Sequence, residues 1–170
     1  MRSQFVTTLA TLALSAVLIS GCGQQKSAAP GKSSAAYTLS ADSNQKFLAD
    51  NKTKAGVITL PSGLQYRVLK SGGGKSPTSG EDIVTVTYKG WLIDGTVFDK
   101  TEPGKTASFP AGHLIPGWVE ALRRMKEGDS WELVIPAELG YGAEGAGNSI
   151  PPNQTLVFDM ELVSVAPPPQ

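Results

Sequence analysis

The chain has 170 residues, of which 40% are hydrophobic, 15 are basic and 15 acidic, with a single histidine and a single cysteine. That length gives room for one domain with a proper core, and the cancelled charge supplies no long-range field for nucleic acid or an anionic surface. One histidine excludes a multi-histidine metal site, and one cysteine excludes an internal disulfide, so the fold must rest on its core.

In chain order, Arg2 precedes an apolar run from Phe5 to Ile19, diluted by Thr7, Thr8, Thr11 and Ser15. That length and polarity fit a signal-peptide core rather than a membrane span. The run ends in Ile19-Ser20-Gly21-Cys22, which resembles the lipobox of bacterial lipoproteins. The resemblance implies a signal peptide over residues 1–21, lipid attachment at Cys22 and a membrane anchor in the bacterial cell envelope; an ordinary secretory signal with an incidental cysteine is the alternative. Cleavage there removes Arg2 alone among the charges and leaves 14 basic against 15 acidic side chains. Residues 22–39 read as a flexible tether, since Gly23 to Ala36 is rich in Ser, Ala, Gln, Gly and Lys and cannot bury enough apolar surface to order itself. Residues 40–55 predict a short helix with a cap at Ser40 and apolar Phe47, Leu48 and Ala49, a length that is marginal for a helix in isolation.

From Val57 onward the hydrophobic period switches to two. Leu64 to Leu69 reads as a strand ending in Ser71-Gly72-Gly73-Gly74. A longer strand, Ile83 to Ile93, places Val84, Val86 and Tyr88 on one face and Thr85, Thr87 and Lys89 on the other. Asp94-Gly95 is a hairpin signal because both residues tolerate positive φ, and the return strand delivers Phe98 and Asp99. Pro116 opens a short helix with a buried stripe at Trp118, Leu122 and Met125, ended by Gly128. Ser130 to Ile135 is another strand, and Thr155 to Val165 the last, with Leu156, Phe158, Met160 and Leu162 facing the core. Many antiparallel strands with one short helix argue for an α+β domain over residues 56–166. Residues 167–170 read as an extended, solvated Pro-rich tail.

Several chemistries are excluded by spacing. Gly74-Lys75-Ser76 and Gly104-Lys105-Thr106 suggest phosphate loops, but the glycine required five positions earlier is Leu69 in one and Asp99 in the other. No serine sits in a Gly-x-Ser-x-Gly elbow, so His113 reads as a rim residue of the loop entering the helix. Nothing in the pattern asks for a metal or cofactor. What remains is an apolar and aromatic set around one acid and two hydroxyls: Tyr88, Phe98, Asp99, Leu114, Ile115, Trp118, Tyr141, Ile150 and Phe158. Such a pocket can bind and deform a substrate, but it holds no usual nucleophile or base for covalent chemistry.

In order and approximate spacing, these residues resemble the FKBP-type peptidyl-prolyl cis-trans isomerases, and within them the macrophage infectivity potentiator-like lipoproteins, from about Val57 to Val165. The resemblance implies a twisted antiparallel sheet, a half-barrel, curled around the short helix. It implies catalysed rotation about Xaa–Pro bonds, which otherwise cross a barrier of about 18–20 kcal/mol. By resemblance, Trp118 is the pocket floor under the prolyl ring, and Tyr88, Phe98 and Phe158 are its walls; each is also explained singly as an inward core residue. Leu114 and Ile150 join the substrate-binding set, with Ile150-Pro151-Pro152 shaping a flap. The Ile115 amide, at a helix start where free N–H groups collect, would bind one substrate carbonyl, and the Tyr141 hydroxyl another. Asp99 would face the twisted amide.

Four departures stand out against the family pattern. No arginine lies between Asp99 and Phe109 to pair with the acid, Ala107 stands where an aromatic wall is expected, Ala146 replaces a flap histidine, and the loop before His113 is short. Together they imply a wider slot, with consequences for substrate preference and macrolide binding more than for isomerisation. The partners implied are proline-containing unfolded or secreted polypeptides. A lipid-anchored chaperone or peptide-binding module with little isomerase activity, and a structural envelope or host-contact lipoprotein, are the competing readings.

Overall fold

Period-two alternation dominates the chain after residue 56, and the computed structural model, which describes residues 37–169, turns it into a single seven-stranded sheet whose paired strands are all antiparallel. A helix, α1 (Ala41–Asn51), comes first, followed by β1 (Val57–Thr59), β2 (Gln65–Lys70), β3 (Ile83–Leu92), β4 (Val97–Lys100) and β5 (Ala107–Pro110). The second helix, α2 (Pro116–Leu122), leads into β6 (Ser130–Ile135), a 3-10 turn at Ala137–Leu139 and β7 (Leu156–Ala166). The signal peptide, Cys22 and most of the tether expected from the sequence lie outside the described residues.

The sheet order is β1-β2-β6-β7-β3-β4, with β5 also paired to β3. β3 and β7 pair over their whole length, from Ile83↔Ala166 to Leu92↔Leu156, with one bulge between Thr85 and Val86. Val84, Val86, Leu156, Phe158, Met160 and Leu162 are all buried, as their alternation requires. Each fully buried side chain of this kind contributes roughly 1.5–3 kcal/mol. The hairpin after β3 differs in detail from the expectation. Only Gly95 takes a positive φ, 92°, while Asp94 acts through its carboxylate, accepting from the Thr96 N–H at 2.8 Å and the Thr96 hydroxyl at 3.0 Å.

α2 begins at Pro116 and buries Gly117, Trp118, Ala121 and Leu122. It stops at Leu122, six residues short of Gly128. The cause lies in Asp129, whose carboxylate accepts from the Lys126 N–H at 2.8 Å and from the Gly72 N–H. Those bonds draw the chain out of the helix into a turn, and Met125 is buried there without being helical.

α1 has the predicted cap, with the Ser40 hydroxyl accepting from the Ser43 N–H at 3.2 Å. Its buried residues, however, are Asn44 and Asn51 rather than Phe47, Leu48 or Ala49. Asn51 donates to Gln65 Oε1 at 2.9 Å, and Gln65 donates to the Leu48 carbonyl at 2.9 Å. Seven residues separate the two asparagines, which puts them on one face. The helix is therefore docked by amides. Tyr37, assigned by composition to the tether, packs edge-on against Phe47 at 5.0 Å and donates to Asp50 at 2.6 Å.

Two carboxylates tie loops to the sheet. Asp82 accepts from the Thr78 and Ser79 N–H groups at 2.7 and 3.0 Å, and Glu127 from those of Val165 and Lys75 at 2.7 and 3.2 Å. These backbone donors hold both carboxyls below their ordinary values of 3.8 and 4.5. The unfolded chain then takes up the protons first, so the stabilisation is complete above those ordinary values and is lost as pH falls through the lower folded ones. We expect the urea midpoint to hold from pH ~7 to ~5 and to fall below pH ~4. Glu127→Gln should lower it at neutral pH and flatten the acid fall; an unchanged pH profile in that variant would contradict the assignment.

Candidate active site

β4 and β5 occupy the same edge of β3, β4 against Lys89–Trp91 and β5 against Ile83–Val86. Between them the chain leaves the sheet at residues 101–106. Thr101 pins the departure, its N–H donating to the Tyr88 carbonyl at 2.9 Å and its hydroxyl accepting from the Tyr88 N–H at 3.1 Å. Beside this gap lies a cavity of about 190 Å³. Tyr88, Phe98 and Asp99 line one side; Phe109, Leu114, Ile115 and Trp118 come from β5 and the start of α2; Tyr141 and Phe158 complete it. Drug-sized ligands need roughly 300–1,000 Å³, so this space suits one small ring.

Trp118 sits in the centre of the aromatic set and is 5% exposed. Tyr88 and Phe158 each meet it edge-on at 5.1 Å, and Phe109 does so at 6.4 Å. Phe98 meets Phe158 edge-on at 5.5 Å. Each such pair adds about 0.5–1.5 kcal/mol beyond area burial. The Trp118 Nε1 atom is buried with no hydrogen-bond partner among the described residues, so ring packing fixes the indole. Gly90 makes the arrangement possible: a Cβ there would lie 2.6 Å from a Phe158 ring carbon and 2.7 Å from one of Phe98.

The polar groups are few. The Tyr88 hydroxyl donates to Asp99 Oδ2 at 2.6 Å, and the Lys100 N–H donates to Oδ1 at 2.8 Å. Both carboxylate oxygens are thus oriented although the stretch from Asp99 to Phe109 holds no arginine. Burial, then the hydrogen bond and charge of Asp99, pushes the Tyr88 hydroxyl well above its ordinary value of 10.0. Burial, followed by the Asp99 charge, also raises Tyr141. Tyr141 is 41% exposed, and among the described residues its hydroxyl has no partner. Ile115 has extended backbone (φ −58°, ψ 144°), and its carbonyl accepts from the Trp118 and Val119 N–H groups at 2.9 and 3.1 Å. Its own N–H donates to no acceptor among the described residues.

The cavity gathers eight of the nine expected pocket residues: Tyr88, Phe98, Asp99, Leu114, Ile115, Trp118, Tyr141 and Phe158. Ile150 is the exception. It is 4% exposed within the core cluster, because reciprocal backbone bonds with Ala146, at 2.8 and 3.1 Å, pin that turn and leave its side chain packed inside. Phe109 takes a wall position that sequence reasoning missed. Its only signal was the alternation Ala107-Ser108-Phe109, in which Ser108 bonds Thr85 at 2.9 Å while Phe109 pairs with Val84. Ala107 does not reach the cavity lining. His113 is exposed, with Nε2 3.5 Å from the Glu81 carboxylate, outside the cavity. Among the described residues no three His, Cys, Asp or Glu side chains come together to hold a metal.

Residues 73–163 match the profile of the FKBP-type peptidyl-prolyl cis-trans isomerases, and residues 7–68 that of the domain amino terminal to such isomerases. The chain belongs to the FKBP-type isomerase family. It is 48% identical over 139 residues to an outer membrane protein MIP of Legionella longbeachae, covering 79% of this chain and 59% of that one. To an FKBP-type 22 kDa peptidyl-prolyl cis-trans isomerase of Escherichia coli it is 52% identical over 121 residues, covering 71% and 58%. This FKBP-family chain thus spans somewhat over half the length of these relatives. A crystal structure of a peptidyl-prolyl isomerase from Pseudomonas syringae pv. tomato superimposes with a TM-score of 0.69 at 39% identity, covering 74% of this chain and 92% of that one.

The close approach at Gly90 gives a test of how the walls are built. Gly90→Ala must push Phe98 and Phe158 aside, and we expect a loss of about 1–3 kcal/mol in urea unfolding with altered Trp118 fluorescence. A variant of native stability and unchanged emission would show that the rings do not depend on that gap.

Proposed function

We propose that this protein is a peptidyl-prolyl cis–trans isomerase that rotates Xaa–Pro bonds without forming a covalent intermediate. The observation that carries the reading is one small aromatic cavity whose polar rim consists of the oriented Asp99 carboxylate, the Tyr141 hydroxyl and the unengaged Ile115 N–H. A planar amide keeps partial negative charge on its carbonyl oxygen, which water stabilises. Inside a cavity floored by an indole that support is lost, whereas the twisted amide, with less charge separation, loses less. Trp118, Tyr88, Phe98 and Phe158 hold the prolyl ring by shape. The Ile115 N–H and the Tyr141 hydroxyl donate to flanking carbonyls, which accept, and Asp99 faces the twisted bond. Leu114 completes the apolar side. No proton needs to move.

The setting follows from the same reading. Lipid attachment at Cys22 would tether the domain to the bacterial envelope, where proline-containing unfolded or secreted polypeptides are its substrates. Among the described residues no helix is long and apolar enough to cross a membrane. An immunosuppressant macrolide that places one ring in the same cavity would compete with the peptide.

Activity on a short Xaa–Pro peptide, followed by exchange spectroscopy or a protease-coupled assay, is the direct test. Tyr141→Phe should cost about three- to tenfold in kcat/KM, the worth of one neutral hydrogen bond, and Asp99→Ala more. Wild-type rates in both variants would remove these residues from the mechanism, and an inactive parent would favour a peptide-binding role. Because both tyrosine hydroxyls titrate above 10.0, kcat/KM should stay level from pH ~7 to ~9; a fall across that window would reveal a titrating group that the mechanism lacks.

A further inference from the structure

Within the isomerase reading above, we propose that Asn44 is a positioning residue, through which α1 sets the loop that carries Tyr141. The helix is docked by polar groups, and at Asn44 these are used in full. Its amide nitrogen donates to the Ser40 carbonyl at 2.9 Å and to Gln154 Oε1 at 3.1 Å, and its amide oxygen accepts from the Thr155 N–H at 2.8 Å. Asn44 is 6% exposed, Gln154 6% and Thr155 1%, so these bonds are shielded from water and costly to leave unmade. Gln154 in turn donates to the Pro152 carbonyl at 2.9 Å and to that of Leu39 at 3.3 Å. Asn44 thus holds Gln154 and Thr155 directly and, through Gln154, reaches Pro152 at the other end of Pro152–Thr155.

The clamp continues to the cavity. Asn153 lies inside the clamped segment, is the one non-glycine with a positive φ among the described residues (59°), and donates its N–H to the Gly142 carbonyl at 2.8 Å. Gly142 follows Tyr141 directly, and its own N–H is bonded to the Ala137 carbonyl at 2.8 Å. An Asn at 153 tolerates the left-handed backbone, but that conformation still needs surroundings that hold it. The bonds from Asn44 to Gln154 and Thr155 supply them. Removing the Asn44 amide frees Pro152–Thr155, loosens the Asn153–Gly142 bond, and lets the Tyr141 hydroxyl drift from the height at which it meets a carbonyl. Asn51, at the other end of the helix, bonds Gln65 on β2 and has no such route. It provides the internal control.

The test uses the full 170-residue chain and two readouts. Native-state hydrogen exchange should show the Asn153 amide less protected by about fivefold or more in Asn44→Ala, with little change there in Asn51→Ala. On a short Xaa–Pro peptide, Asn44→Ala should lose about fivefold or more in kcat/KM relative to a folded parent, Asn51→Ala should keep the parent rate, and the loss should nearly vanish when Asn44→Ala is combined with Tyr141→Phe. Gln154→Ala removes the second half of the clamp and serves if Asn44→Ala does not fold. Unchanged Asn153 protection overturns the proposal whatever the activity. Equal losses at Asn44 and Asn51, or a loss undiminished in the Tyr141→Phe background, overturn it too. An inactive parent with Asn153 released on schedule would instead sink the isomerase reading and leave the clamp standing.

Discussion

The cavity depends on a buried indole that finds no hydrogen-bond partner among the described residues. Trp118 stays in place because Tyr88, Phe109 and Phe158 present ring edges to it, and those rings arrive on three different strands. Their convergence is a matter of register. The pairing Tyr88↔Met160 and Gly90↔Phe158 sets Phe158 over the gap at Gly90. A slip of one residue between β3 and β7 would turn each side chain to the opposite face. Burial of Val84, Val86, Leu156 and Leu162 makes that slip expensive. The aromatic packing around the indole thus rests on the most extensive pairing in the sheet, between β3 and β7.

On the polar side, the molecule replaces a missing cation with neutral donors. The stretch between Asp99 and Phe109 contains no arginine, yet the Tyr88 hydroxyl and the Lys100 N–H each take one oxygen of Asp99. Both donors belong to backbone or ring positions fixed by the sheet, so orientation costs little side-chain entropy. A guanidinium would bring a full positive charge to the cavity rim. With neutral donors no such charge is added, and burial first, then Asp99, raises both neighbouring tyrosines.

Much of this was legible in the chain because the relevant signals are local. Alternation marked β3, β6 and β7, Pro116 marked the start of α2, and the aromatic set was readable as inward strand residues. What escaped depends on long-range bonding. Ile150 reads as a flap residue until the backbone bridge to Ala146 turns it into the core. Four residues of β5 are too few for a period to declare itself, so Phe109 went unnoticed. The helix overran its end on paper because the captor of Lys126 N–H, Asp129, also reaches Gly72. Most plainly, the apolar residues of α1 are Phe47, Leu48 and Ala49, while the residues that the folded domain buries are Asn44 and Asn51. Asparagines carry no hydrophobic period, and their partners Gln65 and Gln154 are distant in sequence.

The order of the strands has an effect on how this molecule is made. β7, the last strand in chain order, is inserted between β6 and β3 in the middle of the sheet. Until β7 docks, both neighbours have facing edges bare, each a template for wrong pairing. Closure comes in one late step that joins distant parts of the polypeptide, the kind of topology that folds slowly. Phe158 arrives in that same step, so the cavity and the cooperative fold are completed together.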